Sequence, residues 1–116
     1  MSLNADIMRV MHGLGFPNED IAPSLYLGGS LEYVVFQYDV RPVSWADDVA
    51  GDVEFYIQIH YCAPWEKNTY RMRALIRNAI EAEWGEFPDE VDASDGDTQH
   101  FVYDFSIIKD KTYGTE

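Results

Sequence analysis

The stretch VEFYIQIHYC, residues 53–62, alternates between apolar and mixed side chains along its whole length. Successive side chains of a β-strand point to opposite faces of a sheet, so strict alternation indicates a strand with one buried face. The face predicted to lie in the core consists of Val53, Phe55, Ile57, Ile59 and Tyr61. The opposite face is half polar and consists of Glu54, Tyr56, Gln58, His60 and Cys62.

A helix is predicted directly after this strand. Pro64 ends the strand, Asn68 or Thr69 can cap the helix, and Gly85 ends it after Trp84. Helical spacing predicts an inner side that is apolar except for its last residue and consists of Met72, Leu75, Ile76, Ala79, Ile80 and Glu83. We expect this inner side to pack on the apolar face of the strand.

The remaining elements are shorter or less regular. The sequence predicts a helix over residues 3–14 and strands over residues 24–27 and 31–40. Residues 91–108 suggest a hairpin around Asp95-Gly96, a dipeptide typical of type I′ turns. Consecutive strands joined by short links should pair antiparallel.

Together these elements predict a single α+β domain over residues 1–116. We expect one mainly antiparallel β-sheet with both helices packed on one face. Residues 1–2 could derive from cloning, and the polar residues 109–116 predict a flexible tail. No run approaches the roughly 18 apolar residues of a membrane span, so no membrane partner is expected.

Acidic residues outnumber Lys and Arg by 21 to 8, which gives a formal net charge of −13. Proteins that bind phosphates electrostatically need the opposite sign, so this composition excludes a general DNA or RNA binder. Half of the basic residues lie on the second predicted helix or just before it: Lys67, Arg71, Arg73 and Arg77. A basic helix on an acidic body is a candidate docking face. A solvated helix face is the alternative.

An acidic loop is predicted over residues 41–52, and it contains Trp45, Asp47 and Asp48. Long loops in compact domains are often functional or disordered. A loop also rarely carries an indole without something to pack it against. We therefore expect this loop to be mobile in an isolated subunit and to become ordered against a neighbouring protein.

Few residues are candidates for chemistry. His60 and Cys62 share a strand face, and with His100 they could bind a soft metal ion, although a buried thiol beside two ordinary imidazoles is favoured. The acidic run at residues 92–97 lacks the ligand spacing of a calcium loop. Neither a phosphate-binding glycine motif nor a nucleophile motif occurs. We predict no catalytic residues, no metal and no cofactor, and therefore a protein that is not an enzyme.

Several pieces of the sequence occur in an order that resembles a known family. The pieces are YVVFQY at 33–38, Pro42 with Asp47-Asp48, VEFYIQI at 53–59, LIRNAI at 75–80 and DTQH at 97–100. In this order they resemble small tail-completion proteins of Gram-positive prophages, which are similar in layout to the tail terminators of long-tailed phages. The resemblance covers about residues 24–108 and lies in the order and lengths of the elements.

The resemblance implies a structural role without catalytic residues. Tail terminators form a ring, usually a hexamer, that caps the finished tail tube and presents a surface to the head connector. The implied partners are further copies of the chain, the tube protein and the head connector protein. The implied location is the virion tail, after assembly in the host cytoplasm.

A ring of identical subunits needs one face that complements a different face of the next copy. We therefore expect Arg71, and Arg73 or Arg77, at a subunit or tail-tube contact. The opposing acids would be residues such as Asp47, Asp48, Asp92 and Asp95. Lys67 and Trp45 complete the set of candidate contact residues.

An acidic binding module is the alternative function, either a DNA mimic or a regulatory partner protein. A DNA mimic also needs a high negative charge, but its carboxylates should follow one extended face. Arg71, Arg73 and Arg77 interrupt the acidic surface of this chain. Both alternatives are non-enzymatic.

Overall fold

The computed structural model describes residues 2–46 and 49–113. Helix α1 spans Leu3–Gly13, helix α2 spans Tyr70–Trp84, and a 3₁₀ turn lies at Asn18–Asp20. The described strands are β1 (Ile21–Pro23), β2 (Tyr33–Pro42), β3 (Trp45–Ala46), β4 (Val49–Ala50), β5 (Asp52–Ala63), β6 (Asp89–Asp92) and β7 (Gln99–Asp110). The predicted α+β class is therefore confirmed.

Five strands form a mixed sheet in the order β1-β2-β5-β7-β6, and β3 and β4 form a separate two-stranded sheet. β1 pairs parallel with β2, whereas β2–β5, β5–β7 and β6–β7 pair antiparallel. The expectation that consecutive strands pair antiparallel is therefore wrong for β1 and β2. The nine residues 24–32 are enough to return the chain to the end where β1 began.

The first strand also lies earlier than predicted. β1 ends at Pro23, and Ser24 adopts a left-handed conformation with φ +67°. This conformation is unusual for a residue with a side chain, and it turns the chain out of the strand. Residues 24–27, predicted as a strand, belong instead to a loop over residues 24–32 that exposes Leu25, Leu27 and Leu31.

One hydrophobic core lies between the sheet and both helices. It joins Leu3, Ile7 and Met11 of α1 and Ile76 and Ile80 of α2 to alternate residues of β2, β5 and β7. On β5 the buried residues are Phe55, Ile57, Ile59 and Tyr61, while Val53 is partly buried. The predicted core face of residues 53–62 and the packing of both helices on one face of the sheet are confirmed. On α2, Leu75 and Ala79 are only partly buried.

The ends of α2 follow the predicted signals. Asn68 lies two residues before the first helical residue, and its Oδ1 accepts a hydrogen bond from the backbone N–H of Tyr70 at 3.1 Å. Gly85 ends the helix with φ +76°, a conformation that glycine adopts without a Cβ clash.

The β6–β7 hairpin begins at Asp89 and does not use a type I′ turn. Gly96 is not among the described residues with positive φ, although a type I′ turn requires positive φ at both central positions. The Asp95 carboxylate instead accepts hydrogen bonds from the backbone N–H groups of Asp97 and Thr98, at 2.8 and 3.0 Å. An aspartate side chain thus organises this turn.

The chain is ordered beyond the predicted end of its last strand. β7 continues to Asp110, and the Tyr113 hydroxyl donates a hydrogen bond to Asp6 Oδ2 at 2.8 Å. The Tyr113 ring also meets Phe55 edge to face, with centroids 5.6 Å apart. Residues 109–113, predicted as part of a flexible tail, thus lie in β7 and the turn after it, while residues 114–116 lie outside the described part.

The predicted loop at 41–52 is largely strand. β2 extends to Pro42, β5 starts at Asp52, and β3 and β4 lie between them. We call residues 39–46 and 49–54 the arm; Asp47 and Asp48 lie outside the described residues. The molecule measures 55 × 25 × 24 Å with a radius of gyration of 15.3 Å. A compact domain of this length has a radius of gyration of about 13 Å, so the molecule is elongated.

Candidate interaction surfaces

Two of the candidate contact arginines are paired within the chain. Arg73 Nη2 lies 2.9 Å from Glu90 Oε1, and Arg77 Nη1 lies 2.9 Å from Glu90 Oε2. The Arg73 guanidinium also lies over the Phe101 ring, 4.0 Å from its centroid. These contacts fasten α2 to β6 and β7, so both arginines have a structural role that the sequence did not predict.

Glu90 is the centre of this cluster. Its side chain is 18% exposed, and Oε2 also accepts a hydrogen bond from the Tyr103 hydroxyl at 2.6 Å. Burial acts to raise the pKa of the Glu90 carboxyl, but the hydrogen bonds from Arg73 and Tyr103 and the two guanidinium charges outweigh it and lower the pKa. Glu90 could not be recognised from the sequence, because its partners depend on the register of β6 against β7.

Lys67 and Arg71 have different environments. Lys67 Nζ lies 3.0 Å from Glu32 Oε1, and Glu32 Oε2 accepts a hydrogen bond from the Tyr61 hydroxyl at 2.5 Å. Arg71 is exposed, and no carboxylate of a described residue lies within 4 Å of its guanidinium. Of the four predicted contact cations, Arg71 is therefore the one left free for an outside partner.

Exposed aromatic side chains lie close to Arg71 along the chain, and the Tyr70 ring lies against the Arg73 guanidinium, 5.3 Å from its centroid. Tyr70 is 75% exposed and Trp65 is 53% exposed, although the Trp65 indole donates a hydrogen bond to the Asp95 carbonyl at 2.8 Å. We call Trp65, Lys67, Tyr70 and Arg71 the α2-start patch. Trp, Tyr and Arg are the residue types most enriched at the energetic centres of protein interfaces.

The predicted contact acids serve local roles or lie outside the described part. The Asp92 carboxylate accepts a hydrogen bond from the Ser94 backbone at 2.9 Å, and Asp95 organises the adjacent turn. Hydrogen bonds with Ser94 lower the pKa of Asp92, and backbone hydrogen bonds from Asp97 and Thr98 lower that of Asp95. Asp47 and Asp48 lie outside the described residues.

The arm presents apolar side chains to solvent. Trp45 is 63% exposed, so the indole is not packed into the core of its own chain. Val40, Val43 and Val49 are also exposed. The structure thus places the tryptophan that the sequence singled out on an uncovered part of the molecule.

The structure places His60, Cys62 and His100 next to one another on β5 and β7. His60 Nδ1 lies 2.8 Å from His100 Nε2, and Cys62 pairs with His100 in the register of β5 and β7. They border a recess of about 260 Å³ beneath Leu25 and Tyr26. Burial raises the pKa of the Cys62 thiol. Among the described residues, no group of three or more His, Cys, Asp or Glu is arranged to hold a metal ion.

His60 should titrate at a lower pH than a free histidine. Burial and the nearby His100 lower its pKa below 6.5, against a smaller opposing effect of Asp104. Because the unfolded chain then binds a proton more readily than the folded one, stability should fall as the pH drops from 6.5 towards the folded pKa. Nuclear magnetic resonance titration of the ring should show the low pKa. In a His60→Asn variant, the free energy of unfolding should no longer fall between pH 6.5 and the lower pKa of His60. An unchanged dependence on pH in this range would show that His60 does not cause the loss of stability.

The face of the sheet that points away from the helices carries a further acidic surface. A recess of about 620 Å³ on this face is bordered by Gln37, Asp39, Arg41, Tyr56, Gln58, Asp89, Asp104 and Ser106, among others. Asp89 and Asp104 lie directly opposite each other on β6 and β7. We call these eight residues the outer recess. Alternation along β7 places Asp104 on this outer face, because its neighbours Tyr103 and Phe105 are buried in the core.

The loop over residues 24–32 is held in place by hydrogen bonds. The buried Asp20 carboxylate accepts them from the Tyr26 hydroxyl at 2.8 Å and the Ser30 hydroxyl at 3.0 Å. The Tyr26 ring stacks on Tyr33, with centroids 4.2 Å apart. A Cβ at Gly28 would overlap the Tyr26 ring, so the loop requires glycine there.

No protein-family model matches this chain, and no curated protein sequence matches it. None of the helices in the described residues is long and apolar enough to cross a membrane. In its described residues the chain is an acidic α+β domain whose exposed features include the arm, the α2-start patch and the outer recess.

Proposed function

We propose that the chain is a structural subunit of the tail-terminator type. In this proposal, copies of the chain form a ring, with six subunits the expected number, that caps the tail tube of a long-tailed phage and meets the head connector. The subunit catalyses no reaction. The proposal is supported by the resemblance of residues 24–108 to tail-completion proteins and by the shape and exposed surfaces of the folded chain.

The arm is the observation that carries the proposal. A two-stranded β-structure alone is marginal in water, and an exposed indole loses the stabilisation that burial would give. The arm combines both features at β3 and β4, with Trp45 63% exposed. A neighbouring subunit or the tube protein that covers Trp45, Val43 and Val49 would remove this apolar surface from water.

The charge of the chain suits a ring through which DNA passes. Each subunit carries a formal charge of −13. A ring of such subunits has an acidic lumen that repels the phosphates of a passing DNA strand instead of binding them.

The proposal predicts that Trp45→Ser impairs assembly and leaves folding intact. Because Trp45 lies outside the core, the thermal unfolding midpoint should change little. Sedimentation velocity and negative-stain electron microscopy should show ring-sized particles for the unchanged protein at high concentration and fewer for the variant. Phe87→Ser is a matched control, since Phe87 is also an exposed aromatic residue but lies outside the arm.

Two outcomes would contradict the proposal. One is a gene neighbourhood without tail-tube and tape-measure genes. The other is a chain that stays monomeric at all concentrations and also fails to join tail tubes from the same phage. A monomer that displaces a basic DNA-binding protein from DNA would instead support the alternative function, an acidic binding module.

A further inference from the structure

The outer recess is electrostatically unbalanced. Asp89 and Asp104 lie directly opposite each other, and like charges in this position destabilise a sheet. Within the described residues, no Lys or Arg nitrogen lies within 4 Å of either carboxylate. Asp39 adds a third negative charge, while Arg41 lies over the Tyr56 ring, 5.1 Å from its centroid. The four charged residues of the recess thus carry a net charge of −2.

The α2-start patch has the opposite imbalance. The first turn of α2 contains no acidic residue, and it carries the exposed Arg71 instead. A cation close to the positive end of a helix dipole is unfavourable, and a carboxylate there is favourable. An external carboxylate that reaches Arg71 would therefore be attracted by both the guanidinium and the helix end.

The two surfaces lie on different sides of one subunit. The outer recess is on the face of the sheet opposite the helices, whereas the patch is at the start of a helix that packs on the other face. A contact between them cannot be self-complementary. It must join one surface of a subunit to the other surface of the next, an arrangement that generates a ring when the rotation between neighbouring subunits closes.

We propose that the uncovered face of the sheet, at the outer recess, binds the α2-start patch of a second copy of this chain. Arg71 of the second copy lies between Asp89 and Asp104, because the planar guanidinium can donate to two carboxylates at once. Tyr70 and Trp65 cover the neighbouring part of the face, around Tyr56 and Gln58. This inference rests on the proposed ring function and specifies one of its subunit contacts.

Charge reversal tests the contact. Arg71→Glu should weaken self-association by at least about tenfold, as the loss of a central interface arginine does, and so should Asp104→Arg. The double variant, with both changes in one chain, should restore much of the association because the two charges have exchanged sides. Lys111→Glu is the matched control, since it makes the same change of charge at an exposed residue outside both surfaces.

The Arg71→Glu variant should fold normally, so a weaker self-association can be attributed to the lost contact. A glutamate in the first turn favours the helix dipole, so Arg71→Glu should unfold at the same temperature as the unchanged protein or slightly higher. Association that weakens in the control by as much as in Arg71→Glu would overturn the specific contact, since it would show only an effect of net charge.

Disulfide trapping provides a second measurement that detects weak contacts. A chain with Arg71→Cys and Asp104→Cys should form a ladder of covalent oligomers under mild oxidation. In a Cys62→Ser background, which removes the native thiol, each single variant can form at most dimers. No ladder beyond dimers at high protein concentration would overturn the proposed contact.

The two proposals can fail separately. If Trp45→Ser prevents ring formation while Arg71→Glu and Asp104→Arg have no effect, the contact is wrong and the ring function stands. If the charge variants and the ladder behave as expected but the oligomers do not join tail tubes, the contact is right and the tail function is wrong.

Discussion

Replacing Ile57 by alanine should lower the free energy of unfolding by about 2–5 kcal/mol, the range found when buried Leu and Ile side chains are truncated. Ile57 is 1% exposed and lies on β5, which pairs with β2 on one side and with β7 on the other. Neighbours on two strands and the helical layer hold the surrounding space open, so the cavity cannot easily collapse. Urea denaturation measures the loss from the shift of the midpoint.

Tyr56→Ala is the control for Ile57→Ala. Tyr56 is the preceding residue on the same strand, but it points to the outer face and is exposed. Its loss should cost less than the loss of Ile57. A change of under about 0.5 kcal/mol for Ile57→Ala, well below the range for buried aliphatic residues, would show that the other face of β5 forms the core.

Replacing Glu90 by glutamine should lower the free energy of unfolding by about 2–3 kcal/mol. Hydrogen bonds to a charged group contribute about 1.5–3 kcal/mol, and the buried partners left behind add a cost. The amide would face Arg73 and Arg77 without a negative charge, and α2 would be held less firmly on β6. Glu86→Gln removes the same charge from an exposed residue and should have little effect.

The Glu90 cluster should also make the protein sensitive to acid. The folded state lowers the pKa of Glu90 below its ordinary 4.5. Its contribution to stability is therefore complete above pH 4.5 and is lost as the pH falls through the lower folded pKa. The free energy of unfolding of the Glu90→Gln variant should therefore fall less than that of the unchanged protein as the pH drops below 4.5. Equal slopes for both proteins between pH 5 and pH 2 would show that Glu90 is not linked to folding.

Local patterns predicted the centre of the fold correctly. The alternation of residues 53–62 predicted β5 and its buried face, and the capping signals around Asn68 and Gly85 predicted both ends of α2. Both predictions depend on residues close together in the sequence. The buried alternation of β7, from Gln99 to Ile107, was predictable for the same reason.

Features set by distant residues were not predictable in this way. The parallel pairing of β1 depends on where the loop over residues 24–32 returns, and Asp20 fixes that path through its bonds to Tyr26 and Ser30. The packing of Tyr113 likewise depends on a hydrogen bond to Asp6, which lies far from it in the sequence. Neither the contacts of Asp20 nor the contact between Tyr113 and Asp6 could be predicted from the charge or composition of the segments in which these residues lie.

The contacts of the candidate interface residues were likewise only partly predictable from the sequence. The cluster of cations on α2 was visible in the sequence, but the sequence did not show that Arg73 and Arg77 bind Glu90 and that Arg71 remains free. The distinction arises because β6 brings Glu90 under one side of α2. The pair of Asp89 and Asp104 also becomes apparent only when the register of β6 and β7 is known.

The position of β7 has a consequence for the time at which the protein can fold during synthesis. Of the described strands, β7 is translated last, yet it lies inside the sheet between β5 and β6. Until it emerges from the ribosome, β5 has an open edge, and the core lacks Phe101, Tyr103, Phe105 and Ile107. Nascent chains that end before residue 99 should therefore be unfolded, sensitive to protease and prone to pair with one another through that edge. Native structure should form only after translation has passed β7.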